Sequence, residues 1–423
     1  KYGFTKKGVP IIKFVPLSNK YPTFMVPSKS RERTAQICVI SFNKWEVVNK
    51  QPIGQIEKII GNVGDINNET QGILYKNKMY PLGKSRQRHA QNILSRDEIQ
   101  KHPWICSKGV DYETFSIDPQ GCRDIDDAFH IKQIDSNEFE VGIHIADVAS
   151  KLNLEKINFC FYSSIYLQNG KQENMLNDDF TFNSASLGDG EPKRAVSLIL
   201  QYNLTDKMKP KLTSLCFKST LVRNTALSYC KADLLISSDS HTNDKLQIQS
   251  SLKLLNKLAF YLSKTPENYS VIPATKMVEH FMLLYNTLTA ETLYSYNKST
   301  IMRRHRLTNI QHKSLQDPEL SSYLERTQQS AAEYVINRSE EDVAHEGLSF
   351  SFYTHATSPI RRYVDIINQY NILRYISSLP LYQISQAEVE RINSFNKNLR
   401  KFYNNYKKLK LVFNCEIEKS EYT

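Results

Sequence analysis

Four aspartates occur within ten residues of the segment 115–131, "FSIDPQGCRDIDDAFHI". They are Asp118, Asp124, Asp126 and Asp127. Adjacent carboxylates repel one another at neutral pH, so a cation between them would explain why they lie together. Hard divalent cations take oxygen ligands of this kind, and Mg²⁺ in particular combines a few carboxylates with phosphate oxygens of a substrate. The residue types therefore predict a metal site that acts on a phosphate.

The spacing of these aspartates refines that prediction. Asp124 and Asp126 alternate, so we expect them to share one face of a strand, and a turn at Pro119-Gln120-Gly121 can fold Asp118 back towards them. Two cations about 3.5–4 Å apart would clamp the attacking and leaving oxygens of a phosphodiester. An EF-hand fits less well because the loop lacks the glycine at position six and the closing glutamate. A solvated acidic turn without metal remains the alternative interpretation.

A second segment, 353–370, reads "YTHATSPIRRYVDIINQY". Ser358 is a natural N-cap and Pro359 suits the first helical position. Arg361 would then be the third helical residue, where the helix dipole disfavours a cation. We therefore interpret Arg361 and Arg362 as residues that bind an anion at a helix start, which already attracts phosphate. Two arginines that face solvent are the alternative.

The elements around these segments predict an α+β fold. "AFHIKQI" and "FEVGIHIADV", separated by "DSNE", indicate a β-hairpin with the aspartates at its leading edge. "TKMVEHFMLLYNTLTAETL" indicates a buried helix that carries Glu279 inward or at its rim. Residues 9–80 contain the strand patterns "TAQICVISFN" and "PIGQIEKIIG" and the turn-rich "GNVGDINNET", which favour a small OB-like β unit. Residues 83–110 are polar and basic with one short helical pattern, as in a connector.

Residues 385–411 predict one more helix, which is amphipathic. Ser385 and Glu388 match a capping box, and apolar residues recur at spacings of three and four. The apolar positions are Ile392, Phe395, Leu399, Phe402, Tyr406 and Leu409. The other face is basic, with no acid after Glu390, so that contact with a polyanion and a merely solvated face are both open. Its basic residues are Arg391, Lys397, Arg400, Lys401, Lys407, Lys408 and Lys410.

The composition indicates a globular protein whose basic excess either binds polyanions or only keeps the surface soluble. The 423 residues include 55 Lys and Arg against 44 Asp and Glu, and such an excess of positive charge attracts nucleic acid. The 24 Tyr and 19 Phe include candidates for stacking on unpaired bases. Seven scattered cysteines without a CxxC pair favour neither a disulfide framework nor a zinc ribbon, as expected in a reducing compartment. No apolar run reaches about 18 residues and no signal-peptide core is evident, which argues against membrane insertion and secretion.

Two segments, "IDPQGCRDIDDA" and "HATSPIRRY", resemble the signature segments of the ribonuclease II (RNB) exoribonuclease family. The pieces "VGIHIADV", "SSIYL", "MVEHFMLLYN" and "IMRRH" follow in the family order. Upstream, "GQIEKIIGNVGDINNETQGIL" is similar to the end of the family's second cold-shock domain. The resemblance extends over about residues 9–415. "VPLSNKYPTF" and "NNETQGIL" look most like the eukaryotic cytoplasmic branch that degrades uridylated RNA.

The resemblance implies an RNB catalytic domain with a mixed sheet and helices around an RNA channel, preceded by a partial OB or cold-shock barrel. The expected divisions are a cold-shock domain at 1–82, a connector at 83–110, the RNB domain at 111–411 and the start of a truncated C-terminal OB-type domain at 412–423. Ala356 stands where the family usually has Phe, and "NMLN" replaces a Pro-flanked "PMLP", which concerns the packing of the channel wall. The chain ends where the family's C-terminal OB-type domain should begin, and the first cold-shock domain is absent or fragmentary, so we expect a fragment or a reduced member of the family.

The activity implied by the resemblance is Mg²⁺-dependent hydrolysis of RNA from the 3′ to the 5′ end, releasing nucleoside 5′-monophosphates by a two-metal mechanism, with Mn²⁺ as the alternative cation. The four aspartates match the metal-binding positions, and Asp126 matches the one required for cleavage but not for binding. Arg361 matches the arginine that stabilises charge on the scissile phosphate. The residues expected to contact RNA are Tyr166, which stacks on the terminal base, Glu279, Arg303, Arg304, His305, Ser358 and Arg362.

The expected partner is the 3′ end of single-stranded RNA, with U-tailed RNA as the class suggested by the subfamily resemblance. We expect no membrane partner, a monomer and a cytoplasmic location. Two other functions remain open: a catalytically silent RNB protein that regulates RNA by binding it, and a structural acidic-loop protein without an RNA role. Retention of all four aspartates together with Arg361 favours the enzyme, because silent relatives typically lose the aspartates.

Overall fold

A computed structural model of the chain describes residues 3–29, 34–46, 50–79, 93–105, 109–154, 159, 161–167, 171–204, 210–238, 246–263, 270–307 and 330–421. The chain forms two compact units, one from Lys1–Gly83 with Ser394–Thr423 and the other from Lys84–Asn393. Within the described ranges, no helix combines the length and the apolar character needed to cross a lipid bilayer.

The first unit contains a four-stranded sheet with the order β1-β2-β4-β3. Its strands are β1 (Ile11–Phe14), β2 (Phe24–Pro27), β3 (Gln36–Lys44) and β4 (Ile53–Asn62). The two longer strands coincide with the predicted strand patterns and pair antiparallel, which confirms that prediction. The predicted turn after β4 is only partly a turn, because Asp65 caps a helix, α1 (Ile66–Lys76), by accepting hydrogen bonds from the backbone of Asn67 and Asn68.

The second unit is built on a closed five-stranded barrel with the order β10-β11-β5-β6-β7. Its strands are β5 (Tyr112–Asp118), β6 (Asp127–Gln133), β7 (Glu138–Ala146), β10 (Lys193–Leu204) and β11 (Pro210–Ser228). Two small two-stranded sheets are formed by β8 (Ile165–Tyr166) with β9 (Gln172–Glu173) and by β12 (Met302–Arg304) with β13 (Glu333–Val335). The predicted hairpin is confirmed, since β6 and β7 pair antiparallel from Asp127↔Ile145 to Gln133↔Phe139.

Strand β7 is buried on both faces, as a strand inside a covered barrel must be. Val141, Ile143 and Ile145 are fully buried on one face. On the other face lies His144, whose Nε2 is 2.7 Å from His130 Nδ1 and whose Nδ1 is 2.7 Å from Ser197 Oγ. The barrel therefore encloses a polar chain of hydrogen bonds as well as an apolar core.

Helices surround this barrel. The second unit contains α2 (Arg96–Gln100), α3 (Tyr229–Ser237), α4 (Leu246–Ser263), α5 (Ala274–Tyr296), α6 (Glu340–Val343) and α7 (Tyr363–Ile376). Short turns of other helix types occur at Ala149–Lys151, Phe180–Ala185 and Glu346–Leu348. The long buried helix predicted from the apolar run is confirmed as α5, which packs against α4 and α7. The fold class is thus α+β, as predicted.

The last helix, α8 (Gln386–Glu421), confirms the predicted amphipathic helix. Only half of the predicted capping box forms: the Ser385 hydroxyl accepts the Glu388 backbone N–H, but the Glu388 carboxylate instead accepts a hydrogen bond from the Tyr363 hydroxyl. The helix continues through position 411, where we expected the next domain to begin, so the domain divisions stay predictions. Residues 83–92 and 106–108 of the predicted connector lie outside the described residues.

Candidate active site

The acidic segment lies at the entrance of the barrel hairpin. Asp118 is the last residue of β5 and Asp127 is the first of β6. Between them the chain turns at Gly121, whose φ of 81° is in the left-handed region that glycine adopts without strain. The Cys122 N–H closes this turn by donating to the Pro119 carbonyl at 3.0 Å. The predicted turn and the position of the cluster at a strand entrance are therefore confirmed.

Asp124 and Asp126 do not share a strand face, and that prediction was wrong. Both lie in the extended loop before β6, because pairing with β7 begins only at Asp127. The loop is fixed where the Ser186 hydroxyl accepts the Ile125 N–H at 3.0 Å. The aspartates are thus held by loop contacts rather than by the pleat of a strand.

The second signature segment also differs from its prediction. Helix α7 begins at Tyr363 with Arg362 as its N-cap residue, so Ser358 is not the N-cap and Arg361 is not the third helical residue. Instead, the backbone N–H groups of Arg361 and Arg362 both donate to the Ser358 carbonyl, at 3.2 and 3.0 Å. A tight turn therefore precedes the helix, and the helix-dipole argument for the two arginines does not apply.

Pairing with a distant part of the chain explains why the helix starts late. Arg362 is extended, with φ −136° and ψ 127°, and forms an isolated β-bridge with Ser163. The Ser164 N–H donates to the Arg361 carbonyl, and the Tyr363 N–H donates to the Tyr162 carbonyl, both at 3.0 Å. These bonds attach the segment "SSIYL" to the turn, a contact that local sequence patterns do not reveal.

A direct contact joins the two signature segments. Asp126 Oδ1 accepts the Ile360 N–H at 3.0 Å, and its Oδ2 accepts Arg361 Nε–H at 3.3 Å. The Arg361 guanidinium also donates to the Ser358 hydroxyl at 3.0 Å. The Asp126 side chain is only 5% exposed, whereas that of Arg361 is 43% exposed. Arg361 thus extends from a buried carboxylate to an accessible surface, where an anion can reach it.

Tyr166 brings a third predicted residue to the same place. It ends β8, and its hydroxyl donates to Asp124 Oδ2 at 2.5 Å. Cys122 Sγ lies 3.7 Å from the other oxygen of Asp124. The aromatic expected to stack on a terminal base therefore lies beside the predicted metal ligands, with 36% of its surface exposed.

The electrostatics of the cluster favour a bound cation. Burial raises the pKa of Asp118 to about 6, with a further contribution from Asp124. Burial raises the pKa of Asp126 to about 7, although Arg361 and the Ile360 N–H oppose the shift. The pKa of Asp127 is raised well above its usual range, first by burial and then by Asp118 and Asp126. Carboxyl groups with raised pKa values gain most when a positive charge enters among them.

The negative charge of the acidic cluster also raises the pKa values of Arg361 and Tyr229. Burial alone lowers the pKa of Arg361, but Asp126 and neighbouring acidic groups outweigh burial and raise it above its ordinary value. The pKa of the Tyr229 hydroxyl is raised to about 12 by burial, followed by Asp127 and Asp118. Sequence patterns do not single out Tyr229, which follows β11 and reaches the site because β11 pairs with β5.

The donor set fits a hard divalent cation in its chemistry. Asp118 Oδ2 is buried and has no hydrogen-bond partner among the described residues, so this oxygen is open to a ligand. Both oxygens of Asp126 and both of Asp124 are engaged by protein donors instead. Among the described side chains, no three His, Cys, Asp or Glu groups are close enough to enclose a metal as they stand. Binding a cation therefore requires the carboxylates of Asp124 and Asp126 to exchange partners.

Buried polar side chains that the sequence did not single out hold the arginine turn in place. Asp365, fully buried on α7, accepts the Ser358 N–H at 2.7 Å and pairs with Arg362 Nη2 at 2.8 Å. Asn286 on α5 accepts the Ala356 N–H at 2.7 Å. The Asn368 amide donates to the His355 carbonyl at 2.9 Å. Together with Asp126, these side chains fix the turn through its backbone from several sides.

Gln369 connects the same helix to the barrel. Its Oε1 accepts the backbone N–H groups of Val148 and Ala149, each at 2.9 Å, and its Nε2 donates to the Ala146 carbonyl at 2.8 Å. Helix α7 is therefore attached directly to the end of β7. A sequence signal for these residues exists, since buried polar side chains on an otherwise apolar helix need partners, but it does not name those partners.

The other predicted RNA-binding residues have their partners outside the acidic cluster. Arg303 stacks over the Tyr334 ring at 5.1 Å, Arg304 pairs with Glu333 at 2.5 Å, and His305 Nε2 is 2.8 Å from the Ser330 carbonyl. Glu279 faces outward, contrary to the inward orientation we considered, and pairs with Lys276 at 2.6 Å. Within the described residues, no hydrogen bond or ion pair connects these four predicted positions to the acidic cluster.

Comparison with known protein families matches two parts of the chain. The RNB domain matches residues 110–269 and 263–378, and the Dis3-like cold-shock domain 2 (CSD2) matches residues 11–78. Among curated relatives, the human exosome complex exonuclease RRP44 is 26% identical over 429 residues, which cover 84% of this chain and 43% of that protein. DIS3-like exonuclease 2 of Schizosaccharomyces pombe is 23% identical over 420 residues, covering 78% of this chain and 44% of that protein. The chain thus spans less than half the length of these relatives.

Solved structures share the fold. Mycoplasma genitalium RNase R in complex with double-stranded RNA matches with a TM-score of 0.69 and 19% identity, over 92% of this chain and 81% of that one. Yeast Ssd1, described as a pseudonuclease, matches with a TM-score of 0.69 and 17% identity, over 96% of this chain and 58% of that one. At these identities the similarity establishes the fold alone, and both catalytic and silent proteins share it.

Proposed function

Because this chain belongs to the RNB family, we propose that it is a 3′-to-5′ exoribonuclease that hydrolyses single-stranded RNA to nucleoside 5′-monophosphates. The observation that carries the proposal is the contact between the two signature segments, in which Asp126 holds both the Ile360 N–H and the Arg361 guanidinium. The carboxylates and the partly exposed Arg361 side chain therefore lie at one site. Phosphodiester hydrolysis requires this combination of metal-binding carboxylates and a cation that stabilises the phosphate.

The protein groups have separable tasks in this reaction. Water attacks the phosphorus of the last phosphodiester, the bond from phosphorus to the 3′ oxygen breaks, and a proton restores the 3′ hydroxyl of the shortened RNA. Arg361 stabilises the negative charge that grows on the phosphate, since its side chain is partly exposed and its guanidinium is already oriented by Asp126 and Ser358. Tyr166, partly exposed next to Asp124, offers an aromatic face for the terminal base.

A divalent cation, Mg²⁺ with Mn²⁺ as the alternative, would be held by Asp118, Asp124, Asp126 and Asp127. When bound, it supplies charge to polarise the phosphate and to activate the attacking water. The orphaned oxygen of Asp118 and the raised pKa values of Asp118, Asp126 and Asp127 support this assignment. Metal binding would also release Arg361 from part of its pairing with Asp126 and so make its guanidinium available to the phosphate.

We further propose that the substrate enters by its 3′ end, that U-tailed RNA is the favoured class, and that the protein acts as a cytoplasmic monomer. The proposal of an RNA partner is supported by the net charge of +11 and by the RNase R structures that contain RNA. The U-tail preference, the cytoplasmic location and the monomeric state rest on the resemblance to the cytoplasmic branch of the family.

The second candidate function is a catalytically silent RNA-binding regulator. One observation favours it: the carboxylates of Asp124 and Asp126 are occupied by Tyr166, Cys122, Ile360 and Arg361. The retention of all four aspartates favours catalysis instead. We assign more weight to the aspartates, because the engaged donors are a hydroxyl, a thiol, one amide and one guanidinium, each of which can be replaced by a cation.

The test is incubation of the protein with 5′-labelled single-stranded RNA and Mg²⁺. An exoribonuclease acting from the 3′ end produces a ladder that shortens progressively and releases nucleoside 5′-monophosphates, which mass spectrometry identifies. Intact RNA after binding has been demonstrated would support the silent regulator. A few discrete internal fragments, or nucleoside diphosphates, would contradict the proposed reaction.

A further inference from the structure

Helix α8 presents a strongly basic face that the proposed active site does not use. Between Glu390 and Glu416 the helix contains no acidic residue. We define its basic face as five exposed cations, which are Lys397, Arg400, Lys401, Lys407 and Lys408.

The five cations lie together because of the helical period. At about 100° per residue they fall within an arc of roughly 120°, opposite the apolar positions that include Ile392, Phe402 and Tyr406. Ile392 and Phe402 are 1% and 0% exposed, and Tyr406 is 8% exposed. The apolar side therefore fixes the orientation of the helix, and the basic face must point to solvent.

The lysines of this face are available to a ligand. Within the described residues, Lys397, Lys401, Lys407 and Lys408 form neither a hydrogen bond nor an ion pair. By contrast, Lys410, outside the basic face, lies over the Tyr406 ring at 5.5 Å. Exposed lysines in a stable protein are usually interspersed with acids, so that an uninterrupted group of one sign indicates a polyanionic partner.

The size of the face suits several phosphates of one strand. With a rise of about 1.5 Å per residue, Lys397 to Lys408 extend over about 17 Å. Asn404 lies within the same arc, and its amide can donate hydrogen bonds to phosphate or ribose oxygens without reading a base. No exposed aromatic lies among these cations, which favours the backbone over the bases.

We propose that the basic face of α8 is an auxiliary site for the sugar-phosphate backbone of RNA, independent of base sequence. This proposal rests on the proposed function, because the bound RNA is the substrate. It adds a second site at which the chain holds that RNA. Binding there contributes through release of counterions from the strand, with a salt dependence that counts the phosphates neutralised.

The experiment measures the affinity of the full chain for a fluorescein-labelled oligouridylate of about 24 nucleotides, which is long enough for several phosphate contacts. Affinity is determined by anisotropy in EDTA at several salt concentrations. The test variant carries Lys397→Gln, Lys401→Gln, Lys407→Gln and Lys408→Gln, since Gln keeps the helix propensity of Lys. The matched control removes four other positive charges, from exposed positions of the second unit. Its substitutions are Lys132→Gln, Lys211→Gln, Lys218→Gln and Lys231→Gln. Circular dichroism establishes that both variants retain their helix content.

The salt slope decides the outcome. Each lost phosphate contact makes the negative slope of log affinity against log salt shallower by about 0.7 on a single strand. The loss of four contacts therefore makes the slope shallower by about 2.8. Between about 50 and 200 mM salt, the wild-type chain should lose about 50-fold more affinity than the test variant. The control should have the salt slope of the wild type. A variant with Arg in place of the four lysines of the basic face should also have the wild-type slope. Equal slopes in the test variant and the wild type would overturn the proposal and leave the face as a solvated surface.

Failure of this proposal and failure of the proposed enzyme give different results. Hydrolysis by the wild-type chain together with equal slopes overturns the auxiliary site only. The expected slopes together with intact RNA in Mg²⁺ overturn the enzyme only, and would fit an RNA-binding regulator.

Discussion

At the scale of single residues, the proposed hydrolysis depends on Arg361. This residue reaches the surface from a turn, and Asp126 and Ser358 hold its guanidinium before any substrate arrives. A group that is oriented in advance pays little reorganisation when charge develops on a phosphate, which is how electrostatic catalysis works. The same geometry explains why the position requires a planar, branched cation and not merely a positive charge.

Arg361→Lys should lower kcat by about 10² or more, because an ammonium group cannot donate the paired hydrogen bonds of a guanidinium. RNA affinity should change much less, since many cations share the binding of the strand. Single-turnover hydrolysis and anisotropy measure the two quantities.

The control is Arg223→Lys, which alters an exposed pair with Glu113. Arg362→Lys is unsuitable as a control, because Arg362 pairs with the buried Asp365. If Arg361→Lys weakened only RNA binding, Arg361 would be a docking residue for the RNA backbone and its assigned catalytic role would be wrong.

At the scale of elements, helix α7 and the turn before it act as a support for Arg361. Asp365 holds the Ser358 N–H and the Arg362 guanidinium from a fully buried position. Its other oxygen, Oδ2, has no hydrogen-bond partner among the described residues. The hydrogen bonds of Asp365 go to the arginine turn and not to the four aspartates, so we regard it as a positioning residue.

Asp365→Asn should lower the free energy of unfolding by about 2 kcal/mol or more, since it leaves the partly buried Arg362 without its counter-charge. It should also lower kcat more than it changes KM, because the arginine turn loosens while the RNA-binding surface stays intact. Urea denaturation and steady-state kinetics measure the two effects.

The matched control is Glu113→Gln, which breaks the exposed pair with Arg223 and should cost less than about 1 kcal/mol. Equal losses of stability in both variants would contradict the structural role of Asp365.

The barrel contains a second element-scale feature, the hydrogen-bonded chain formed by His130, His144 and Ser197. Burial lowers the pKa of His144 well below its usual value, and His130 adds to the shift. Around them, Tyr112 stacks on the His130 ring, Glu140 favours the charged form of His130 and Lys132 opposes it. Both histidines are therefore expected to be neutral in the folded protein at neutral pH.

A histidine with a lowered pKa binds fewer protons in the folded state than in the unfolded state. Its contribution to stability is present above the unfolded pKa of 6.5 and is lost as the pH falls below that value. We predict that the free energy of unfolding declines below pH 6.5 more steeply in the wild type than in His144→Gln, which keeps polar groups but cannot titrate. Parallel declines, measured by urea denaturation from pH 8 to 5, would contradict a neutral buried His144.

At the scale of the whole molecule, the sequence predicted the elements well and their long-range contacts poorly. The β6–β7 hairpin, α5 and the amphipathic α8 follow from periodicities of two and of three to four residues, which are local signals. The predicted start of the last signature helix at Pro359 was wrong, because Arg362 pairs with Ser163, almost 200 residues earlier in the chain. No pattern of neighbouring residues carries that information.

The same limit applies to the candidate site. Residue types alone indicated Asp118, Asp124, Asp126 and Asp127, because four carboxylates so close together need a chemical reason. Sequence patterns did not identify Asp365, Asn286 and Gln369. These side chains accept hydrogen bonds from backbone N–H groups that only the fold brings to them. The sequence thus indicated the groups that would do chemistry and missed most of those that position them.

In the proposed reaction the acidic cluster and Arg361 form one hydrolytic site, and Asp126 contacts Arg361 directly. Asp126→Asn keeps an oxygen that can accept the Ile360 N–H, but it removes the negative charge that a cation and Arg361 require.

The most direct measurement compares the wild type and Asp126→Asn on 5′-labelled single-stranded RNA with Mg²⁺, with affinity determined in parallel. We expect the wild type to shorten the RNA progressively from its 3′ end, while the variant binds the RNA with similar affinity and leaves it intact. Shortening at near wild-type rates by Asp126→Asn would show that hydrolysis does not require Asp126 and that the assigned site is wrong.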